Sequence, residues 1–336
     1  MSGKKKIEGS GFTPAECDAF VTRVSAISVE RYRVLRPIYG ITLPQGCDAV
    51  SVGGFTIYEA NKRLEEIKQR GHELLLDQRI GNASGFLIEC EVDARDTVKA
   101  EELADLLFYR FELIIRFMIG HRTRWVEVGV LNYVGPQLRD RIVVSTRDSA
   151  VGSAWQGALQ PIPISDAFFC EPSRPFAKLL GLVSDQRNKL QQHIMRCVEW
   201  TAQAVRDPSE ASAFVKAAIA LEVLFSPNEK GIITPSIMAQ IAESCAFLLG
   251  NSPESAANIE GEVKRLYGIR SAVVHSGKDS VGKRDLNLFI QMCRNCVLTL
   301  LSKKALEKID TPGALAEHLR TKKYTGCQPE ASVEDS

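Results

Sequence analysis

Arg270 and His275 are the two residues of this sequence whose types and spacing best suit chemistry on a phosphate group. They lie five residues apart in the segment 266–277, LYGIRSAVVHSG. An arginine stays cationic at cellular pH, and its planar fork of donors matches two phosphate oxygens. A histidine exchanges protons near neutral pH and can act as a general acid or base. The pair therefore suggests phosphate binding coupled to proton transfer.

The position of Arg270 in its predicted helix is unusual. The preceding apolar residues Ile259, Val263 and Leu266 are spaced by four and three, which is the interval of one helical face. Four residues beyond Leu266 the same stripe reaches Arg270, where an apolar side chain would be expected. A half-buried guanidinium is costly unless an anion pairs with it. We therefore expect a partner carboxylate for Arg270.

The spacing of Arg270 and His275 also sets a geometric problem. Five residues of a regular helix correspond to a rotation of about 140°, so the two side chains would not share a face. Either the last helical turn is distorted before Gly277, or a second copy of the chain completes the site. A third interpretation involves no catalysis: Arg270 is a paired interior arginine, His275 caps the helix, and the domain binds without cutting.

Two segments of the sequence together resemble a known family. The order Leu-Tyr-x-Ile-Arg-Ser-x-x-x-His-x-Gly over 266–277 resembles the RxxxxH signature of the HEPN superfamily, and more narrowly its Apea-like group. A second segment, ALEVLF at 220–225, matches the helix end that precedes the motif in that group. The resemblance extends over about residues 176–323.

The resemblance implies metal-independent RNA cleavage, without a cofactor, at a cleft shared by two protomers. The ribose 2′-hydroxyl would attack the neighbouring phosphorus, with Arg270 on the scissile phosphate and His275 as general acid or base. Ser271, where family members often have Asn, Asp or His, would have a supporting role. Glu222 of the ALEVLF segment is a candidate partner for Arg270, and Tyr267 contacts either the cleft or the core. RNA and a second copy are the implied partners, and antiphage defence or a toxin-like effector role is the implied biology.

Helices must position these residues. After residue 176 the strand signal ends and apolar residues recur at helical spacing, bounded by capping residues and glycines. The predicted helices are 184–206, 209–225, 235–249, 255–275, 284–308 and 312–322. This pattern predicts an antiparallel helical bundle over 177–323, followed by a disordered tail over 324–336. Ser184, Ser209 and Thr234 are the predicted helix starts, and Gly250 and Gly277 the predicted stops.

The first part of the chain has a different pattern. Alternating and β-branched residues predict strands at 32–43, 49–58, 85–93, 124–134 and 141–147, with a turn or bulge at Gly53–Gly54. Helices are predicted from Thr13-Pro14 to about 27 and over 97–119. Arg116 and three further basic residues at the end of the second helix suit its negative end. The prediction is an α+β domain over 1–160 and a linker over 161–176.

We find no phosphate loop, dinucleotide fingerprint or catalytic constellation in the α+β domain. Its expected role is therefore sensing or regulation, with a regulatory partner or ligand. Two alternatives to a nuclease remain open for the whole chain: a non-catalytic module that binds RNA or nucleotides, and a dimerising scaffold.

Composition limits the remaining possibilities. The 336 residues carry a net charge of +1 and are 45% hydrophobic, which is ordinary for a globular protein long enough for two domains. The segment 176–323 is mildly basic, which is compatible with a polyanionic partner. Nine cysteines are scattered without metal-ligand spacing, and Cys293 and Cys296 are predicted to be core residues. Free cysteines and the lack of a long apolar run predict a cytoplasmic protein without a membrane partner.

Overall fold

The computed structural model describes most of the chain. The described residues are 13–59, 85–120, 128–130, 141–144, 151–155, 161–164, 175–183, 186–225, 237–277 and 280–325. Within them, a small antiparallel sheet is followed by a mostly helical region, as the sequence predicted.

Helix α1 (Pro14–Ser25) begins where the sequence predicted. The Thr13 hydroxyl accepts from the Glu16 amide, and the Glu16 carboxylate accepts from the Thr13 amide at 2.8 Å, which completes a capping box ahead of Pro14. No residue of α1 is buried. The guanidinium of Arg95 donates to the carbonyls of Ser25 and Ile27 at the C-terminal end of α1, which ties α1 to the sheet.

The four strands of the sheet are β1 (Glu30–Ile38), β3 (Ala49–Val52), β4 (Phe55–Glu59) and β5 (Phe86–Ala94). They lie in the order β1-β5-β4-β3, and all neighbouring strands are antiparallel. The predicted strand 49–58 is a hairpin with Gly53 and Gly54 at its turn, both at positive φ. Glycine adopts this left-handed conformation at no steric cost, and of the turn or bulge that the sequence predicted, the turn is observed.

Short strand pairs accompany the sheet. Strand β2 (Ile41–Thr42) pairs in parallel with β8 (Ile162–Pro163), and β6 (Arg141–Val144) pairs antiparallel with β7 (Val151–Trp155). Gly129 forms an isolated bridge with Tyr39. The other residues of the strand predicted at 124–134 lie outside the described residues, apart from 128 and 130.

Helix α2 (Thr97–Ile119) joins the sheet to the helical region, at the bounds that the sequence predicted. The Asp96 side chain caps its first turn, and Gly120 ends it at φ 67°. One side of α2 packs on the sheet, where the rings of Phe55 and Phe111 lie 4.9 Å apart. The other side packs against the helical region, so that residues 111–117 are all buried.

Part of the predicted linker has regular structure. Pro175 begins helix α3 (Pro175–Gly181), and strand β8 lies at 162–163. Pro163 and Pro175 are compatible with this regular structure, because proline suits the first helical position and a strand edge. Phe176, Leu179 and Leu180 bury the inner side of α3. The intervening residues 165–174 lie outside the described part of the chain.

In the described residues from 186 onward, six further α-helices form the helical region. They are α4 (Lys189–Arg206), α5 (Glu210–Phe225), α6 (Ile237–Leu249), α7 (Pro253–Ser276), α8 (Lys283–Ser302) and α9 (Pro312–Thr325). A 3₁₀ turn, Lys304–Leu306, separates the last two. Asn188, in a capping box with Gln191, starts α4, where the sequence had favoured Ser184. The buried side chains of this region, α2 and the sheet form one continuous core cluster.

Candidate active site

Helix α7 carries Arg270 and His275 and remains regular to its end. The Ser252 hydroxyl caps its N-terminus ahead of Pro253, and Gly277 ends it in the left-handed conformation at φ 62°. The helix is α-helical through Ser276, so the distorted last turn is not observed. In one chain, Arg270 and His275 therefore leave the helix axis about 140° apart.

Arg270 lies on the buried stripe of α7, as the sequence predicted. Val263 and Leu266 are fully buried, whereas the side chain of Arg270 keeps 28% of its surface exposed. Its Nη2 lies 3.4 Å from Oε1 of Glu222, which is 26% exposed and belongs to α5. The expected pairing of Arg270 with Glu222 is thus observed. It links the last turn of α5 to the second-last turn of α7.

The Glu222–Arg270 pair is incompletely satisfied. Burial raises the pKa of the Glu222 carboxyl, and the charge of Arg270 opposes this shift without cancelling it. The buried Nε of Arg270 has no hydrogen-bond acceptor among the described residues. Among the described residues, the guanidinium consequently has one unmet donor and a single anionic contact, of moderate length.

Tyr267 belongs to the core. Only 6% of the residue is exposed, and its hydroxyl donates to the carbonyl of Ala218 at 3.1 Å. Its ring meets Phe289 of α8 edge-on at 5.7 Å, and burial raises the pKa of its hydroxyl. Of the two roles that the sequence left open, core packing is the one observed. Tyr267 fixes α7 against α5 one turn before Arg270.

His275 and Ser271 lie on the solvent side of α7. Both residues are exposed, and their spacing of four places them on one helical face. Neither side chain forms a hydrogen bond or ion pair with another residue of the described part. Between them in sequence lies Val274, an apolar residue that is 46% exposed. The end of α7 therefore presents a histidine, a hydroxyl and an apolar side chain to an incoming molecule.

His193 is a neighbouring residue that the sequence analysis did not single out. Its Nδ1 lies 2.7 Å from the carbonyl oxygen of Val223, the residue after Glu222. A hydrogen bond there requires Nδ1 to carry the proton, which directs the lone pair to Nε2 in the neutral ring. Thirty positions separate the two residues, so no local pattern could have indicated the contact.

Several other features bear on the site. The described residues contain no group of three or more His, Cys, Asp or Glu side chains arranged to hold a metal ion.

Cys293 and Cys296 are fully buried in the core, as predicted, and Cys293 donates to the carbonyl of Ala217. Among the helices of the described ranges, none has both the length and the apolar character needed to cross a membrane.

Comparison with known proteins does not assign this chain to a family. The chain matches no family model, and no curated protein and no solved structure is significantly similar to it.

Proposed function

We propose that this protein is a metal-independent endoribonuclease of the HEPN type that acts as a homodimer. The observation that carries this proposal is the partly exposed, incompletely satisfied Arg270 near the same helix end as the exposed His275. A partly exposed guanidinium that can bind phosphate and a solvent-facing group that can transfer protons are two of the parts that phosphodiester cleavage uses. The resemblance of 220–225 and 266–277 to HEPN proteins makes RNA the expected substrate.

In this mechanism Arg270 binds the non-bridging oxygens of the scissile phosphate and offsets the charge that grows on them. The ribose 2′-oxygen loses its proton and attacks the phosphorus. The bond to the 5′-oxygen breaks, and that oxygen takes up a proton. His275 serves one of the two proton transfers. The products are a 2′,3′-cyclic phosphate and a 5′-hydroxyl end.

The unbroken helix supports a site shared between two chains. Arg270 and His275 of one chain diverge by about 140°. The histidine of a second copy can therefore approach a phosphate on Arg270 more easily, and would be the one that transfers a proton there. The exposed Val274 beside the motif is the kind of apolar contact that such an interface would bury. Ser271 would then help to orient the ribose or the phosphate.

The same divergence favours a second candidate function, which is binding of RNA or nucleotides without cleavage. In that case Arg270 alone would contact phosphate, and His275 would be a helix-end residue. For either function, we propose that the sheet and α2 form a sensing unit, because α2 packs directly on α4 of the helical region. Antiphage defence or a toxin-like role in the cytoplasm is the biological setting that the family resemblance suggests.

Cleavage of total cellular RNA by the purified protein in EDTA tests the first function. The variants are His275→Ala and Arg270→Ala. Arg265→Ala is the matched control, because Arg265 lies on the same helix but is paired with Glu262 and Asp285. We expect fragments with cyclic phosphate ends from wild type and Arg265→Ala only. Equal fragments from all four proteins would contradict the site assignment, and RNA affinity that persists without cleavage would favour the binding module.

A further inference from the structure

We propose that Glu222 occupies the anion-binding position of Arg270, so that a phosphate ligand must displace this carboxylate to bind. The inference deepens the proposed function and rests on it in one respect, namely that Arg270 is the phosphate-binding group. It assigns Glu222 the role of setting the anion affinity of the site.

The first observation is the geometry of the Glu222–Arg270 contact. Strong charge-assisted hydrogen bonds are about 2.7–2.9 Å long, and arginine pairs best with both oxygens of a carboxylate. Glu222 meets Arg270 through one oxygen at 3.4 Å. By contrast, Arg31 contacts both oxygens of Asp93, at 3.0 and 3.3 Å, on the exposed face of the sheet. The contact of Arg270 with Glu222 is therefore longer and less complete than the contact of Arg31 with Asp93.

The second observation is what the weak contact leaves unmet. The Nε of Arg270 is buried without an acceptor in the described part of the chain, and an unmet buried donor has a desolvation cost. The charge of Glu222 is also incompletely neutralised by Arg270, since burial raises the pKa of this carboxyl more than Arg270 lowers it. A phosphate group offers more acceptor oxygens and more charge than one carboxylate oxygen does. The site consequently favours exchange of Glu222 for phosphate.

A further argument concerns the electrostatic effect of Glu222 on a phosphate bound at the partly buried Arg270. Two anions near one guanidinium repel each other, and partial burial strengthens the repulsion because the local dielectric is low. As long as Glu222 is ionised and close to Arg270, it therefore opposes phosphate binding. Replacement by glutamine removes the charge and keeps the size of the side chain. The inference predicts that this replacement increases phosphate affinity at Arg270.

The test is a titration of the full-length protein with inorganic phosphate, followed through the ¹H–¹⁵N signal of the Arg270 Nε–H group. The signal is assigned by its loss in Arg270→Ala. The variant is Glu222→Gln. The control is Glu262→Gln, which removes a carboxylate from Arg265 on the same helix. Thermal unfolding of each variant verifies that it is folded.

We expect Glu222→Gln to bind phosphate on the order of tenfold more tightly than wild type, because a like charge a few ångströms away has been removed. Glu262→Gln should bind like wild type. Equal or weaker binding by Glu222→Gln would overturn the inference, since Glu222 would then hold Arg270 in place for its ligand. No phosphate response in either protein would overturn it as well.

The RNA cleavage assay in EDTA, run on the same proteins, separates this inference from the proposed function. Tighter phosphate binding by Glu222→Gln with no cleavage by wild type would support the role of Glu222 and contradict the nuclease. Cleavage by wild type with no gain in phosphate affinity would support the nuclease and overturn the role of Glu222.

Discussion

Two glutamate–arginine pairs in this molecule differ in how completely the fold encloses them. Glu112 and Arg116, one turn apart on α2, are 0% and 8% exposed at the side chain, and Arg206 approaches within 3.8 Å of Glu112. Glu112 also accepts a hydrogen bond from the Val130 amide at 2.9 Å. Glu222 and Arg270, on α5 and α7, are a quarter exposed and share one contact of 3.4 Å.

The difference separates a structural pair from one that a ligand can reach. The Glu112 carboxylate connects α2, α4 and residue 130, so it holds the sheet unit against the helical region. Its charge is neutralised within the protein, and water has no access to it. The Glu222–Arg270 pair lies at the ends of two helices, is open to solvent and leaves one donor unmet. The residue types are the same in both pairs, and exposure to solvent is what distinguishes them.

The largest expected effect comes from breaking the enclosed pair. Glu112→Ala would leave Arg116 buried without its carboxylate, and removal of one partner of a buried pair typically costs about 3–5 kcal/mol. Urea unfolding should show a loss of that size in the free energy of unfolding. The equivalent change in the open pair, Glu222→Ala, should lower it by less than about 1 kcal/mol because solvent screens the charge that remains. Equal losses in both variants would remove the distinction between the two pairs.

A smaller loss in the free energy of unfolding is expected from a change at Tyr267, one turn from the Glu222–Arg270 pair. Tyr267→Phe removes the hydroxyl that donates to the Ala218 carbonyl, and loss of such a buried hydrogen bond costs about 1–2 kcal/mol. The aromatic packing against Phe289 is retained, so we expect the fold and the RNA cleavage rate to change little. Urea unfolding and the cleavage assay check this together. A large loss of cleavage with unchanged stability would show that Tyr267 acts at the site itself.

The smallest effect is the dependence of stability on pH through Glu222. Burial raises the folded pKa of this carboxyl above its unfolded value, so the native state binds the proton more tightly. The resulting stabilisation is present at low pH and is lost as pH rises through the folded pKa. Between pH 7 and about 4, wild type should therefore gain stability relative to Glu222→Gln. A relative loss on acidification would mean that Arg270 lowers the pKa of Glu222 after all.

Local patterns in the sequence were sufficient for much of the fold. The bounds of α2, the turn at Gly53–Gly54 and the capping box of α1 all depend on residues within a few positions of each other. The place of Arg270 on the apolar stripe of α7 was predictable for the same reason. Its pairing with Glu222 was expected only because the resemblance drew attention to the 220–225 segment.

What the sequence did not predict depends on contacts between distant segments. Arg116 suited the negative end of its own helix, but the structure buries it against Glu112, near Arg206 and the Val130 amide. The contact of His193 with the Val223 carbonyl is of the same kind. Gly277 indicated where α7 stops, yet it did not determine whether the last turn would be regular. That regularity is the reason why the proposed site is divided between two chains.

A mixing experiment tests the shared site most directly. Arg270→Ala and His275→Ala chains are each assayed for RNA cleavage in EDTA, alone and after being mixed, and native mass spectrometry monitors formation of the mixed dimer. If Arg270 of one chain acts with His275 of the other, each variant should be inactive alone and the mixed dimer should recover cleavage at one intact site. Mixed dimers that form but remain inactive, while wild type cleaves, would contradict a site that pairs these residues across two chains.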